Sequence, residues 1–243
     1  MGHRVFLAGA SGAVGRPLVR LLVGAGHRVV GTTRTEQGAA ALRALGAEPA
    51  VVDALDAAAV RLAVMRAAPS IVIHQLTGLA GLRDGRVAQA IALNAEIRAV
   101  GTRNLVAAAL AAGVARLVAQ SIAWVYAPGP LPHAESDPLD LAAEGARGVT
   151  VRGVVALESA VLGAAPLAGV VLRYGQFFGP GTGRDAPEGE APVHVEAAAQ
   201  AALLAMDRGD AGTVFNVAAP NGLVATGRAR AVLGWEAGFR LPG

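Results

Sequence analysis

With 243 residues, of which 53% are hydrophobic and 16% charged, the chain is long enough to bury one sizeable core and sits at the upper range of a single domain. Cys 0 excludes disulfides, thiolate nucleophiles and cysteine-held metals; with no apolar run of roughly 18 residues and no signal-like start, a cytoplasmic protein with no membrane partner is expected. All 21 basic residues are arginines, scattered among 18 acids for a net charge of +3, and with 4% aromatics they offer neither basic runs nor stacking surfaces to nucleic acid.

In chain order, an apolar strand begins at Arg4 and runs into Gly9-Ala10-Ser11-Gly12-Ala13-Val14-Gly15, followed by a helix over 14–23 closed by Gly24-Ala25-Gly26. A strand over 28–32, a helix over 36–45, a strand over 49–52 and a helix over 56–66 come next. A short apolar strand over 70–74 leads to a long crossover helix over 86–112 ending at Gly113, then a strand over 116–120. Residues 127–148 read as a long loop rich in proline and acids, 149–164 as a helix and 169–174 as a strand. A loop over 180–192, a helix over 195–206, a strand over 213–217 and an irregular end complete the chain. This alternation predicts a doubly wound parallel sheet, α/β in class and Rossmann-like.

The glycine turn is a physical site for a dinucleotide. Glycines at 9, 12 and 15 allow a tight turn, close approach of backbone to a pyrophosphate, and tight packing of the next helix, whose N-terminal amides face the anion. Gly9, Ser11, Gly12, Ala13, Val14 and Gly15 are therefore assigned to cofactor binding. At the end of the second strand the chain reads Thr32-Thr33-Arg34, with no carboxylate before Glu36 to hold a ribose 2′-hydroxyl. Thr33 and Arg34, with Arg16 as a further candidate, suit a 2′-phosphate, so NADP(H) is expected in preference to NAD.

Beyond that turn, several stretches resemble the extended short-chain dehydrogenase/reductase superfamily of the NAD-dependent epimerase/dehydratase type. Besides the G-x-x-G-x-x-G turn they are Asn94 with Gly101-Thr102-Arg103-Asn104-Leu105, Val125-Tyr126, the segment from Arg173-Tyr174-Gly175 to Phe178-Gly179-Pro180-Gly181, and Val193-His194-Val195-Glu196. The resemblance covers nearly the whole chain and implies one NAD(P)-binding domain over 1–243, with about 175–243 contributing a small, reduced substrate lobe. It also implies cofactor contacts at Asp53, Ala54, Leu76 and Asn94.

The resemblance breaks at the chemistry. Such enzymes use a Tyr-x-x-x-Lys helix, whose lysine lowers the tyrosine pKa, and a nearby Ser or Thr. Counted from Glu158, the tyrosine slot falls near Thr150 and the lysine slot near Val154; the serine slot is Ile122, and the chain holds no lysine. Ser121, Tyr126 and Tyr174 remain as catalytic candidates that could donate a hydrogen bond to a substrate. His133, Glu135 and Asp137 match no metal-ligand spacing and read as a polar surface lid, while His74 and His194, in apolar settings, read as structural.

These readings favour a small-molecule NADP(H)-dependent oxidoreductase or epimerase-like enzyme of atypical mechanism, acting on a substrate electrophilic enough to need little proton assistance. A non-redox enzyme of cyclisation or elimination type and a non-catalytic NADP(H)-sensing regulator stay open as alternatives, as does a homodimer.

Overall fold

The computed structural model describes residues 2–79 and 85–242. The alternation of strand and helix is realised as one seven-stranded sheet, ordered β3-β2-β1-β4-β5-β6-β9, in which every pairing is parallel. Its strands are β1 Arg4–Ala8, β2 Arg28–Thr33, β3 Glu48–Val51, β4 Ile71–His74, β5 Arg116–Ile122, β6 Ala168–Tyr174 and β9 Thr213–Val217. Val5 lies opposite Val29 on one side and Ile71 on the other, the register of strands buried on both faces.

Helices cover both faces. Leu18, Val19 and Leu22 of α1 (Gly15–Gly24), Leu42 of α2 (Glu36–Ala44) and Ala197 to Ala202 of α7 (Val195–Leu204) pack on one side. Val60 and Val64 of α3 (Ala57–Ala67), Leu105 and Ala109 of α5 (Thr102–Ala111), and Leu157 and Val161 of α6 (Gly145–Leu162) pack on the other. The crossover helix is α4 (Val87–Glu96) joined to α5 by a π-helical turn, Ile97–Gly101. Both α2 and α3 are capped by side chains: Thr35 accepts from the Gly38 amide at the start of α2, and Asp56 from the Ala59 amide at the start of α3.

From β1 the chain first builds outward to β3, then returns to place β4 on the other side of β1. That reversal opens a crevice at the carboxyl ends of β1 and β4, the place where doubly wound sheets bind ligands. Little stands outside the sheet in the last third: a parallel pair, β7 (Gln176–Phe178) with β8 (Pro192–His194), and an end segment with a π turn at Ala229–Leu233, whose Trp235 is buried and donates from Nε1 to the Ala197 carbonyl.

The structure corrects the reading of His133, Glu135 and Asp137 as a polar surface lid at its first residue. His133 is buried, stacks on Tyr126 at 4.9 Å between ring centroids, and holds Asp137 through Nδ1 at 3.1 Å, while its backbone amide and carbonyl bond Leu223 and Ala225. Its flanking prolines and acids suggested solvent, but ring stacking and backbone pairing bolt the segment to the strand ends.

Candidate functional site

The three glycines of the turn do different work. Gly9 has φ +88°, and a Cβ there would lie 2.5 Å from the Gln75 carbonyl oxygen at the end of β4; at Gly15 it would lie 2.2 Å from the Gly9 carbonyl oxygen. Both glycines are required by backbone meeting backbone. Gly12 is exposed, and a Cβ on it would meet only the Gly9 oxygen, at 3.2 Å. The space over Gly12 is thus open to a ligand, and because the Arg16 and Leu18 amides at the start of α1 already bond the Gly12 and Val14 carbonyls and residue 17 is proline, it is the backbone of the turn, 9–15, that borders this space. A pyrophosphate fits this cradle.

Around it, Gly9 N donates to Thr32 Oγ1 at 2.9 Å, and Arg16 Nε donates to the Ser11 carbonyl at 3.0 Å, which places the Arg16 guanidinium beside the turn. Thr33 is buried at the end of β2; Arg34, next in the chain, is exposed and has no ion pair among the described residues. Asp53 is exposed past β3, its Oδ1 accepting from the Leu55 amide at 3.0 Å, so that Asp56 alone serves as the cap of α3. Ala54 is held by its carbonyl, which accepts from Asn104 Nδ2 at 2.9 Å. Asn94 is buried and accepts from the Gly78 amide at 2.9 Å, fixing the loop that leaves β4, where Leu76 N donates to His74 Nδ1 at 3.1 Å.

Two catalytic candidates belong to a buried network. Ser121 Oγ donates to Glu158 Oε1 at 2.7 Å, and Arg173 grips the same carboxylate through Nε at 2.9 Å and Nη2 at 2.7 Å. Arg173 Nη1 also donates to Tyr126 OH at 2.9 Å, and Tyr126 donates to Asn216 Oδ1 at 2.6 Å. Burial alone would lower the Arg173 pKa, but the hydrogen bonds and charge of Glu158 outweigh it and raise it. Burial raises that of Tyr126, partly offset by Arg173.

Tyr174 faces the opposite side of the sheet. Its hydroxyl donates to the Ala198 carbonyl at 3.1 Å and accepts from Gln75 Nε2 at 3.4 Å, and full burial pushes its pKa up. All three candidate hydroxyls therefore give their single proton to the protein itself. The lysine and serine slots are filled by hydrocarbon, since Val154 and Ile122 pack together with Val125 and Val151 in one buried cluster, while Thr150, at the tyrosine slot, lies half-buried on α6. Gln75 was not anticipated, and its Oε1 is the one enclosed side-chain polar atom without a partner among the described residues.

Sequence reasoning also passed over Arg98, buried in the π turn, and the roles of Glu158 and Asn216. A signal for Arg98 existed: Asn94, Arg98 and Thr102 recur every four residues along the crossover helix and so share one of its faces. His74 was read correctly as structural; it is fully buried against Thr102 Oγ1 at 2.9 Å, and burial, with the charge of Arg98, lowers its pKa to about 4.

Residues 5–192 match the NAD dependent epimerase/dehydratase family. Over 226 residues the chain is 45% identical to 3-diazoavenalumate denitrifying reductase of Streptomyces sp, covering 84% of this chain and 72% of that protein. Among solved structures, UDP-glucose 4-epimerase of Thermotoga maritima, determined with UDP-glucose, superimposes with a TM-score of 0.78 at 18% identity, covering 97% of this chain and 94% of that one. The Thermus thermophilus UDP-glucose 4-epimerase, determined with NAD, gives 0.75 at 19% identity over 98% and 94% of the two chains. These structures share the doubly wound architecture, and the sequence matches go further: the chain belongs to the NAD dependent epimerase/dehydratase family.

Proposed function

We propose that the protein is an NADP(H)-dependent reductase for a strongly electrophilic small molecule, with aromatic diazo compounds as the substrate class that fits best. The observation that carries this reading is the apolar cluster of Ile122, Val125, Val151 and Val154 at the serine and lysine slots, which leaves Thr150, with no lysine to lower its pKa, at the tyrosine slot of a proton relay. Reduction of a carbonyl needs a proton at oxygen as hydride reaches carbon. At an arenediazonium carbon the hydride instead forms the new C–H bond while the C–N bond breaks, and that bond's electron pair leaves in dinitrogen, which takes no proton. When bound, NADPH supplies the hydride. The similarity to a reductase whose name describes denitrification of a diazo acid anion supports the same class.

On this reading Gly9, Ser11, Gly12, Ala13, Val14 and Gly15 receive the pyrophosphate, Asp53 and Ala54 border the adenosine, and Thr33 with exposed Arg34 meets the 2′-phosphate. Leu76 and Asn94 shape the wall beyond β4. Ser121, Tyr126 and Tyr174 keep that wall rigid through the bonds already described and hold their protons away from the substrate. The β7–β8 pair and the end segment serve as the substrate lobe of a single domain.

The test combines purified protein, NADPH deuterated at the hydride-donating carbon, and an arenediazonium carboxylate. NADPH oxidation above the protein-free rate, with deuterium on the product's aryl carbon, is expected. NADPH binding without oxidation would turn the reading toward a sensor, and no dinucleotide binding toward a non-redox enzyme. The phosphate preference is read separately by titration: NADPH should bind more tightly than NADH, and Arg34→Ala should reduce that ratio about tenfold or more, the worth of one charge-assisted contact. A variant that keeps the preference makes Arg34 a bystander.

A further inference from the structure

Arg98 is a buried cation without a hydrogen-bond or ion-pair partner among the described residues. It lies in the π-helical turn Ile97–Gly101 and is 5% exposed. Turns of this kind inside α-helices recur at functional sites, because they re-aim one side chain. Among the described residues Arg98 makes neither a hydrogen bond nor an ion pair. The carboxylate whose charge reaches it, Glu158, is already occupied by Ser121 and both arms of Arg173. The other ionisable neighbour, His74, is neutral near pH 7 because burial holds its pKa at about 4. Two guanidiniums thus share one carboxylate in this layer, and one positive charge is left over, a costly arrangement if nothing answers it.

The position of Arg98 says what would answer it. One turn earlier Asn94 bonds the loop leaving β4, and one turn later Thr102 bonds His74, the last residue of β4. Arg98 therefore stands over the carboxyl end of β4, at the crevice. Arg98 keeps a small exposure, 5%, and its nitrogens are not among the enclosed unpartnered side-chain atoms of the described residues.

We infer that Arg98 anchors the anionic end of the substrate, pairing with a carboxylate that enters at the carboxyl end of β4. Its planar, permanently charged fork suits a carboxylate, and the surplus charge of the layer is neutralised when the acid binds. This deepens the reductase reading by naming the substrate as an organic acid, but its test needs no turnover.

Cinnamate and its neutral amide, cinnamamide, are titrated calorimetrically into the full chain saturated with NADP+. The wild type should bind the acid about tenfold or more tightly than the amide, Arg98→Met should bind both alike, and Arg98→Lys should keep part of the preference. Equal affinity of the wild type for acid and amide overturns the proposal, as does a folded Arg98→Met that still prefers the acid. So does an Arg98→Met that loses NADP+ instead of cinnamate, because the cation would then serve the cofactor. If Arg98→Met does not fold, the wild-type comparison and Arg98→Lys decide: acid preference in both supports the anchor, and its absence in either removes it. A protein that prefers cinnamate yet turns over no diazo compound loses the reductase reading and keeps the anchor.

Discussion

Glu158 takes three hydrogen bonds from two residues of different strands, Ser121 on β5 and Arg173 on β6, and so ties α6 to the sheet. A buried ion pair of this kind contributes little net stability, but removing one partner strands the other. Glu158→Ala should therefore destabilise the fold by about 3–5 kcal/mol, measured by chemical denaturation, since it leaves the buried Arg173 charge uncompensated. A loss below about 1 kcal/mol would mean that Arg173 finds water instead. His74 makes a second prediction. Its folded pKa of about 4 lies below its ordinary 6.5, so the unfolded chain binds the proton more readily, and the contribution is full above pH 6.5 and lost as pH falls toward 4. Its size is roughly 3 kcal/mol across that window. His74→Asn should flatten the fall between these limits relative to wild type; parallel curves would show that other groups govern the acid limb. His74 reads as structural from its apolar setting, but the Glu158 network was not legible in the sequence, because Glu158, Ser121 and Arg173 are far apart in the chain and only pairing of β5 with β6 brings them together.

Among the elements, the glycine turn was legible to the residue, and its geometry separates folding from binding. Gly15→Val would drive side-chain atoms into the Gly9 and Ala10 carbonyls, closer than 3 Å already at Cβ, and should unfold or strongly destabilise the protein. Gly12→Val meets only a 3.2 Å contact and should keep nearly all its thermal stability while abolishing NADPH binding in a calorimetric titration. If Gly12→Val binds normally, the space over the turn is not the pyrophosphate site. Glycine misled elsewhere. Gly148 was read as the end of a loop, yet α6 starts at Gly145, and Gly148 is needed because a Cβ there would lie 2.3 Å from the Ala143 carbonyl oxygen. Gly153, farther along α6, lets that helix approach the crossover helix, where its Cβ would sit 2.9 Å from the Ala95 Cα. The strands β7 and β8 escaped notice because three residues beside glycine and proline carry no period.

At the scale of the whole molecule, alternation alone gave the parallel sheet, since each apolar run of four to seven residues had to be buried on both faces by the helices around it. Counting along the resemblance places Ile122 and Val154 in the serine and lysine slots, but only the fold shows that they pack with Val125 and Val151 into one buried cluster. That packing separates the catalytic demand from the tyrosines. Tyr126 and Tyr174 are buried, both have raised pKa values, and both spend their protons on Asn216 and Ala198. The double variant Tyr126→Phe/Tyr174→Phe should lower stability by about 1–3 kcal/mol per lost partner, because Asn216 Oδ1 and Gln75 Nε2 lose theirs. NADPH-dependent turnover should nevertheless fall less than about tenfold, where the loss of a proton relay costs about a hundredfold or more. The rate at saturating substrate should also stay flat across roughly pH 6–9, with no limb from a lysine-depressed tyrosine. Steady-state kinetics at a temperature where the variant remains folded decides the matter. A hundredfold loss of turnover, or a basic limb in the wild type that vanishes in the variant, would make one of these hydroxyls the acid and return the protein to proton-assisted reduction.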